Sequence, residues 1–183
     1  MLRLARDLVS GLRPIGGQLI VNDRLDIALL AGAAGVHLGQ DDLPLRAARA
    51  IAPPGFLIGI STHDPDEAAQ AWAEGADYIG FGPMAATENK DDALATPRTL
   101  AQLAATRTRV GIPVVAIGGI DLPRVREILD AGADAVAMIG ALARAEDPAA
   151  LVRAVLALRP RSRQTPRASS PIRPHRGPGS GIA

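Results

Sequence analysis

Residues 57–82 read LIGISTHDPDEAAQAWAEGADYIGFG, and this stretch decides the fold. It begins and ends with short apolar runs. In each run the residues that would face one side of a sheet and those that would face the other are apolar, a pattern typical of strands buried on both faces of a parallel sheet. The segment between the runs begins at Asp64-Pro65, a helix-capping residue followed by proline, and ends at Gly75, where a helix can stop in the left-handed conformation. Asp64 and Glu67 also have the spacing of a capping box. The stretch therefore predicts a strand–helix–strand unit.

The same unit recurs along the chain. Apolar runs and helix-capping signals alternate to give six predicted strands, preceded by a helix near residues 2–12. The other runs are 19–21, 35–38, 114–117 and 135–139, the other helix starts are Asp42-Leu-Pro44, Thr96-Pro97, Asp121-Leu-Pro123 and Asp147-Pro148, and the other helix ends are Gly32 and Gly132.

Two architectures fit this α/β alternation: a doubly wound parallel sheet, and a (β/α)8 (TIM) barrel of which only six βα units are present. No Gly-x-Gly-x-x-Gly follows the first strand, which weakens the dinucleotide-binding version of the first architecture. Both architectures place functional residues at the carboxyl ends of the strands.

Composition divides the chain into a folded domain, residues 1–158, and a tail, residues 159–183. The tail contains six Arg, no acidic residue and many Pro, Ser and Gly residues, so we expect it to be disordered. No aromatic residues alternate with its arginines, so a nucleic-acid partner is not expected. The absence of cysteine excludes disulfides and thiol catalysis, and no apolar run is long enough for a membrane span. We therefore expect a cytoplasmic protein without a membrane partner.

Several strand ends carry residues suited to phosphate chemistry. Asp23 and Asp42 follow neighbouring strands and offer hard oxygen ligands of the kind that Mg²⁺ shares with a phosphate. Lys90, the only lysine in the chain, suits a phosphate charge. Gly118-Gly119 and Gly140 follow the last two strands, where backbone amides bind phosphate in many barrels.

Each of these residues also has an ordinary structural interpretation. Asp42 can cap a helix, and Asp23 can pair with Arg24 or Arg3. Gly118-Gly119 can form a tight turn without a ligand, and Lys90 can be a solvated lysine. His37 lies within a strand, where a hydrogen-bonded core histidine is the simplest expectation.

Five motifs resemble those of thiamine phosphate synthase and of its relative, the thiazole tautomerase TenI. They occur in the family's order over residues 2–158, and the resemblance is closest to the synthase. It implies a (β/α)8 barrel that joins hydroxymethylpyrimidine diphosphate to thiazole phosphate, giving thiamine phosphate and pyrophosphate, in thiamine biosynthesis. The motifs are LIVNDR at 19–24, GVHLGQ at 35–40 with Asp42, ISTH at 60–63, GADYIGFGP at 75–83 and AIGGI at 116–120.

The resemblance also implies roles for individual residues. Lys90 and Ser61 would be catalytic, and Mg²⁺ and Lys90 would stabilise the charge of the departing pyrophosphate while the thiazole nitrogen captures the pyrimidine cation. The Mg²⁺ ligands would be Asp23 and Asp42. The residues that bind the two substrates would be Asn22, Ser61 and Lys90 for the pyrimidine diphosphate, and Thr87, Glu88, Asn89, Gly119, Ile139 and Gly140 for the thiazole phosphate.

The chain also departs from the family pattern. The family's first two strands, with a Gln-x-Arg-x-Lys stretch that grips the pyrimidine diphosphate, have no counterpart, so the chain is expected to lack an N-terminal quarter and to show weak or no synthase activity by itself. Unpaired sheet edges at 19–23 and 135–139 would then favour self-association.

Two other functions stay open at the level of sequence. The first is a TenI-like tautomerase, although Pro83 stands where TenI proteins tend to carry His, and Asp23, Asp42 and Lys90 would not be needed. The second is a non-catalytic protein that binds a phosphorylated thiazole or thiamine phosphate.

Overall fold

The computed structural model describes residues 1–86 and 96–158, and it contains the six predicted strands and the predicted leading helix. Thr87, Glu88, Asn89, Lys90 and the tail at 159–183 lie outside the described residues. In chain order the elements are α1 Leu2–Leu12, a 3₁₀ turn Arg13–Ile15, β1 Ile20–Asn22, α2 Leu25–Ala31, β2 Gly35–Leu38, α3 Leu45–Ile51, β3 Leu57–Thr62, α4 Pro65–Glu74, β4 Tyr78–Phe81, α5 Leu100–Arg109, β5 Val114–Ala116, α6 Leu122–Asp130, β6 Ala135–Val136, α7 Gly140–Ala143 and α8 Pro148–Ala157.

The strands form one parallel sheet whose spatial order, β1 to β6, is also their order in the chain. A doubly wound sheet reverses its strand order at a switch point, and these six strands show no reversal. The barrel-type alternative with six βα units is therefore confirmed. Within the described residues β1 and β6 each pair with one neighbour, which places the sheet edges at the two predicted positions. No helix in residues 1–86 and 96–158 is long and apolar enough to cross a membrane.

The two faces of the sheet have different environments. One face packs against the helices in a single core in which strand residues such as Leu38, Ile58 and Phe81 are fully buried. On the opposite face, burial decreases from the middle of the sheet to its edges. β3 and β4 are buried on almost every residue, as the apolar runs predict, whereas β1, β5 and β6 are only partly buried. The less covered face is therefore available to a ligand.

Of the five predicted helix caps, Asp64 and Asp147 are confirmed, and Thr96 is wrong. The Asp64 carboxylate accepts hydrogen bonds from the amides of Asp66 and Glu67, and the Asp147 carboxylate accepts one from Ala150. Thr96 does not cap α5, because the Arg98 amide donates to the Pro83 carbonyl and holds this segment outside the helix. The helix instead begins after Thr99, which forms a capping box with Gln102.

The other predicted caps differ in detail. Asp42 does not cap α3, whose first turn follows Pro44 without a side-chain cap. Asp121 occupies the N-cap position of α6, but its side chain accepts no capping bond. Glu67 does not complete the capping box with Asp64, because its carboxylate accepts from the His63 amide, one residue further back.

Candidate active site

A cavity of about 690 Å³ lies against the face of the sheet that the helices leave open. Every strand, or the turn that follows it, contributes to its wall. The lining residues are Ile20, Asn22, His37, Ser61, Tyr78, Pro83, Ala86, Val115, Ile117, Gly118, Gly119, Ile120, Asp121, Ala137, Ile139, Gly140, Ala141 and Arg144. Five of the residues predicted to bind substrate are therefore brought together here: Asn22, Ser61, Gly119, Ile139 and Gly140.

His37 links two polar side chains in the middle of this wall. Its Nε2 lies 3.0 Å from Ser61 Oγ, and its Nδ1 lies 3.1 Å from the Tyr78 hydroxyl. The imidazole and phenol rings stack with centroids 5.5 Å apart. His37 is thus hydrogen-bonded, as expected from the sequence, but it is only half-buried and faces the cavity rather than the core.

Two strand glycines make room for these rings. Gly59 pairs in register with His37 on one side and with Tyr78 on the other. A Cβ at Gly59 would lie 2.1 Å from Tyr78 Cζ, and a Cβ at Gly80 would lie 3.0 Å from His37 Cε1. The apolar runs therefore contain glycine at these positions because aromatic side chains from neighbouring strands cover the backbone there.

The Tyr78 phenol stays neutral over the pH range of ordinary assays. Burial raises its pKa to about 12, and the nearby negative charge of Asp77 adds to the increase. A neutral phenol can donate to His37 Nδ1, in which case Nε2 carries the ring proton and donates to Ser61 Oγ. In that tautomer the Ser61 hydroxyl accepts from His37, and its own proton is available for donation to another acceptor.

This pKa is measurable because Tyr78 is the only tyrosine in the chain. We expect its phenolate absorbance to appear near pH 12 in the folded protein, against 10.0 for an ordinary tyrosine. Since the folded state holds this proton more tightly than the unfolded state, its contribution to stability is complete below pH 10 and is lost as pH rises toward 12. The Tyr78→Phe variant should lack both signals. A phenolate midpoint at 10 in the folded chain would contradict this prediction.

The two predicted metal ligands lie at neighbouring strand ends. Asp23 follows β1 with a left-handed φ of +63°, and its amide donates to the His37 carbonyl at 2.8 Å. Asp42 follows β2, and its carboxylate accepts from the Gly39 amide at 2.7 Å. Arg24, the pairing partner considered for Asp23, makes its two-bond ion pair with Asp26.

Neither Asp23 nor Asp42 is among the residues that line the cavity. In the two described ranges, no group of three or more His, Asp or Glu side chains is placed to hold a metal ion. Two carboxylates, completed by substrate oxygens and water, are the usual protein share of a Mg²⁺ site. The donor set therefore fits Mg²⁺ held together with a phosphorylated substrate.

The glycine turns form the opposite end of the cavity. Gly118 and Gly119 both have left-handed φ values, +82° and +64°, and a Cβ on Gly119 would lie 2.6 Å from the Ala86 carbonyl. Among described residues, no group accepts a hydrogen bond from the amides of Gly119 and Gly140. Within residues 1–86 and 96–158 both amides are therefore available to a ligand, as expected of a phosphate cradle.

The described residues just before Thr87 are hydrogen-bonded to this cradle. The amides of Met84 and Ala85 donate to the Gly118 carbonyl, and the Arg124 guanidinium donates to the Met84 carbonyl at 2.8 Å. Ala86, the last described residue before Thr87, lines the cavity. The chain therefore enters the segment that contains Lys90 directly from the cavity wall.

Sequence analysis assigned no function to Tyr78 or Arg144, which also line the cavity. The position of Tyr78 depends on the strand register that aligns it with Gly59 and His37. The apolar run by itself does not predict that register. For Arg144 one signal was available, its spacing of four residues from Gly140, which places the two on the same side of a helical turn.

Comparison with known proteins agrees with this fold. A family model described as thiamine monophosphate synthase matches residues 1–142. The chain is 48% identical over 158 residues to a thiamine-phosphate synthase of Methanocella arvoryzae, covering 86% of this chain and 74% of that protein. It is 52% identical over 129 residues to one of Chlorobium phaeovibrioides, covering 70% and 61% of the two chains.

A solved structure shows the same arrangement. The thiamine phosphate pyrophosphorylase of Pyrococcus furiosus superposes with a TM-score of 0.78 at 36% identity, over 86% of this chain and 74% of the other. On the family match, the relatives and this structure, the chain belongs to the thiamine monophosphate synthase family.

Proposed function

We propose that the cavity is the active site of a transferase that joins hydroxymethylpyrimidine diphosphate to thiazole phosphate, giving thiamine phosphate and pyrophosphate. The observation that carries the proposal is that two kinds of phosphate-binding group follow the carboxyl ends of strands in one parallel sheet. The carboxylates of Asp23 and Asp42 follow β1 and β2, and the amides of Gly119 and Gly140, which have no acceptor among the described residues, follow β5 and β6 at the cavity wall. The relatives named thiamine-phosphate synthase support the same reaction.

The diphosphate substrate would bind on the β1–β3 side of the cavity. Asp23 and Asp42 would hold Mg²⁺ there, and the bound ion would supply positive charge to the leaving pyrophosphate. Asn22 and Ser61 line this side of the wall, and Lys90 would add a second positive charge to the diphosphate. Departure of the pyrophosphate needs charge stabilisation and no general base.

Ser61 would hold the pyrimidine in place through its hydroxyl. The residue is almost fully buried, and the bond to His37 restrains the rotation of its Oγ. Because Tyr78 restrains His37 in turn, the hydroxyl is oriented before the substrate arrives. Preorganised donors of this kind do not need to reorient during the reaction.

The thiazole phosphate would bind on the β5–β6 side. The backbone at Gly119, Ile139 and Gly140 would receive its phosphate. Thr87, Glu88 and Asn89, which lie outside the described residues, would contribute further contacts. Two substrates fixed at opposite ends of one cavity react as if in a single molecule, which is a large source of rate enhancement.

Binding measurements separate this proposal from its alternatives. Isothermal titration of the 183-residue chain should show that thiazole phosphate binds with or without Mg²⁺, whereas inorganic pyrophosphate binds only when Mg²⁺ is present. A pyrophosphate affinity that does not depend on Mg²⁺ would contradict the proposal and would favour a tautomerase or a simple thiazole-binding protein.

A further inference from the structure

Gly140 and Arg144 are arranged so that one makes room for the other. A Cβ at Gly140 would lie 2.9 Å from Arg144 Nη1 and 3.2 Å from Nη2. Real Cβ atoms essentially never approach a heavy atom as closely as the first of these distances. The Arg144 guanidinium, the far end of an exposed and flexible side chain, therefore lies where a Cβ at position 140 would displace it.

The charge of this guanidinium is not used elsewhere in the described structure. The arginines of α4 to α6 mostly pair with carboxylates or carbonyls, for example Arg124 with Glu127 and Arg126 with Asp130. Arg144 makes no ion pair or side-chain hydrogen bond within residues 1–86 and 96–158, and it lines the cavity. A cation without a partner at a cavity wall is available to an anionic ligand.

The groups near Arg144 indicate which kind of anion it would bind. Gly140 lies beside the guanidinium, and Gly119 lines the same cavity. The amides of both glycines have no acceptor in the described part of the chain. Guanidinium groups bind phosphate through two parallel N–H donors, an arrangement stronger than a neutral hydrogen bond. The cavity therefore has backbone donors and a cationic side-chain donor at one end.

We propose that Arg144 binds the phosphate of the thiazole substrate, and that the absence of a side chain at Gly140 lets the guanidinium lie beside the cradle in the position found here. This assignment rests on the function proposed above. It gives the thiazole end of the cavity a positive charge from the last βα unit that is independent of Lys90.

The test compares phosphorylated and unphosphorylated ligands by isothermal titration of the 183-residue chain. In Arg144→Met we expect the Kd for thiazole phosphate to rise about tenfold, the loss typical of one charge-assisted hydrogen bond. The Kd for the corresponding thiazole alcohol should be unchanged, since the alcohol has no phosphate. Arg153→Met, which removes an exposed arginine from α8, is the matched control and should leave both values unchanged.

A double-mutant cycle tests the spatial relation of the pair. Gly140→Ala should weaken thiazole phosphate binding in the wild-type background, because its Cβ displaces the guanidinium. In the Arg144→Met background the same replacement should have little further effect. Equal effects of Gly140→Ala in both backgrounds would overturn the proposed relation between the two residues.

The remaining outcomes distinguish this assignment from the proposed function. If wild-type chain binds thiazole phosphate and Arg144→Met binds it equally well, the Arg144 assignment is wrong and the proposed function stands. If Arg144→Met weakens Mg²⁺-dependent pyrophosphate binding but not thiazole phosphate binding, Arg144 serves the other substrate and the assignment is also wrong. If wild-type chain binds no thiazole phosphate, the proposed function fails as well.

Discussion

Replacing Asp42 with Asn should lower the rate of thiamine phosphate formation by about 100-fold or more, the scale seen when one charge-stabilising group is lost. The variant removes a negative charge but retains an oxygen that can accept the Gly39 amide, so the loop after β2 should keep its shape. Asp23→Asn should behave similarly, because asparagine tolerates the left-handed backbone found at position 23. The measurement is the initial rate as a function of Mg²⁺ concentration.

Asp130→Asn is the control for the loss of a carboxylate. Asp130 makes an exposed ion pair with Arg126 on α6 and does not line the cavity. We expect wild-type rates from this variant. The Asp23 and Asp42 variants should need a higher Mg²⁺ concentration to reach half of their maximal rate. If the Asp23→Asn and Asp42→Asn variants both kept wild-type rates at limiting Mg²⁺, the proposed metal site would be wrong.

The second large effect is expected from Gly59→Ala. The new Cβ would lie within 2.5 Å of three atoms of the Tyr78 side chain, in the middle of the sheet. Overpacking of this kind costs about 1–3 kcal/mol of unfolding free energy. Because Tyr78 must move, its bond to His37 should break, the pKa of Tyr78 should fall toward 10.0, and the orientation of Ser61 should be lost. Urea unfolding and the tyrosine titration measure both effects on one sample.

Gly11→Ala is the matched control. Gly11 lies in α1 with nothing within 4 Å of its would-be Cβ and an ordinary φ, so alanine should stabilise the chain by up to about 1 kcal/mol. A Gly59→Ala variant with wild-type stability and an unchanged tyrosine titration would show that the cavity wall is not packed as described.

The elements of the fold could be predicted because the pattern that specifies them is local. Short apolar runs followed by capping residues and glycine stops mark each βα unit, and all six strands occur where these patterns place them. The choice between a doubly wound sheet and a barrel could not be made locally, because it depends on strand order. The start of α5 was misplaced because Thr96 and Thr99 are both good caps, and a hydrogen bond from Arg98 to distant Pro83 decides between them.

The candidate site was predictable where it depends on strand ends. Asn22, Ser61, Gly119 and Gly140 follow or end strands, and parallel strands bring their carboxyl ends to one edge of the sheet. Tyr78 and Arg144 were missed because their functions depend on neighbours across the structure. The Tyr78 ring packs over Gly59 on the adjacent strand, and the Arg144 guanidinium lies where a Gly140 side chain would be.

The account is tested most directly by a single-turnover reaction with the 183-residue chain in excess over hydroxymethylpyrimidine diphosphate, together with thiazole phosphate and Mg²⁺. Excess protein makes even a slow reaction visible. We predict equal amounts of thiamine phosphate and pyrophosphate, and neither product when Mg²⁺ is chelated. Products that form equally when Mg²⁺ is chelated, or isomerised thiazole formed without the pyrimidine diphosphate, would contradict the proposal that this cavity is a synthase active site.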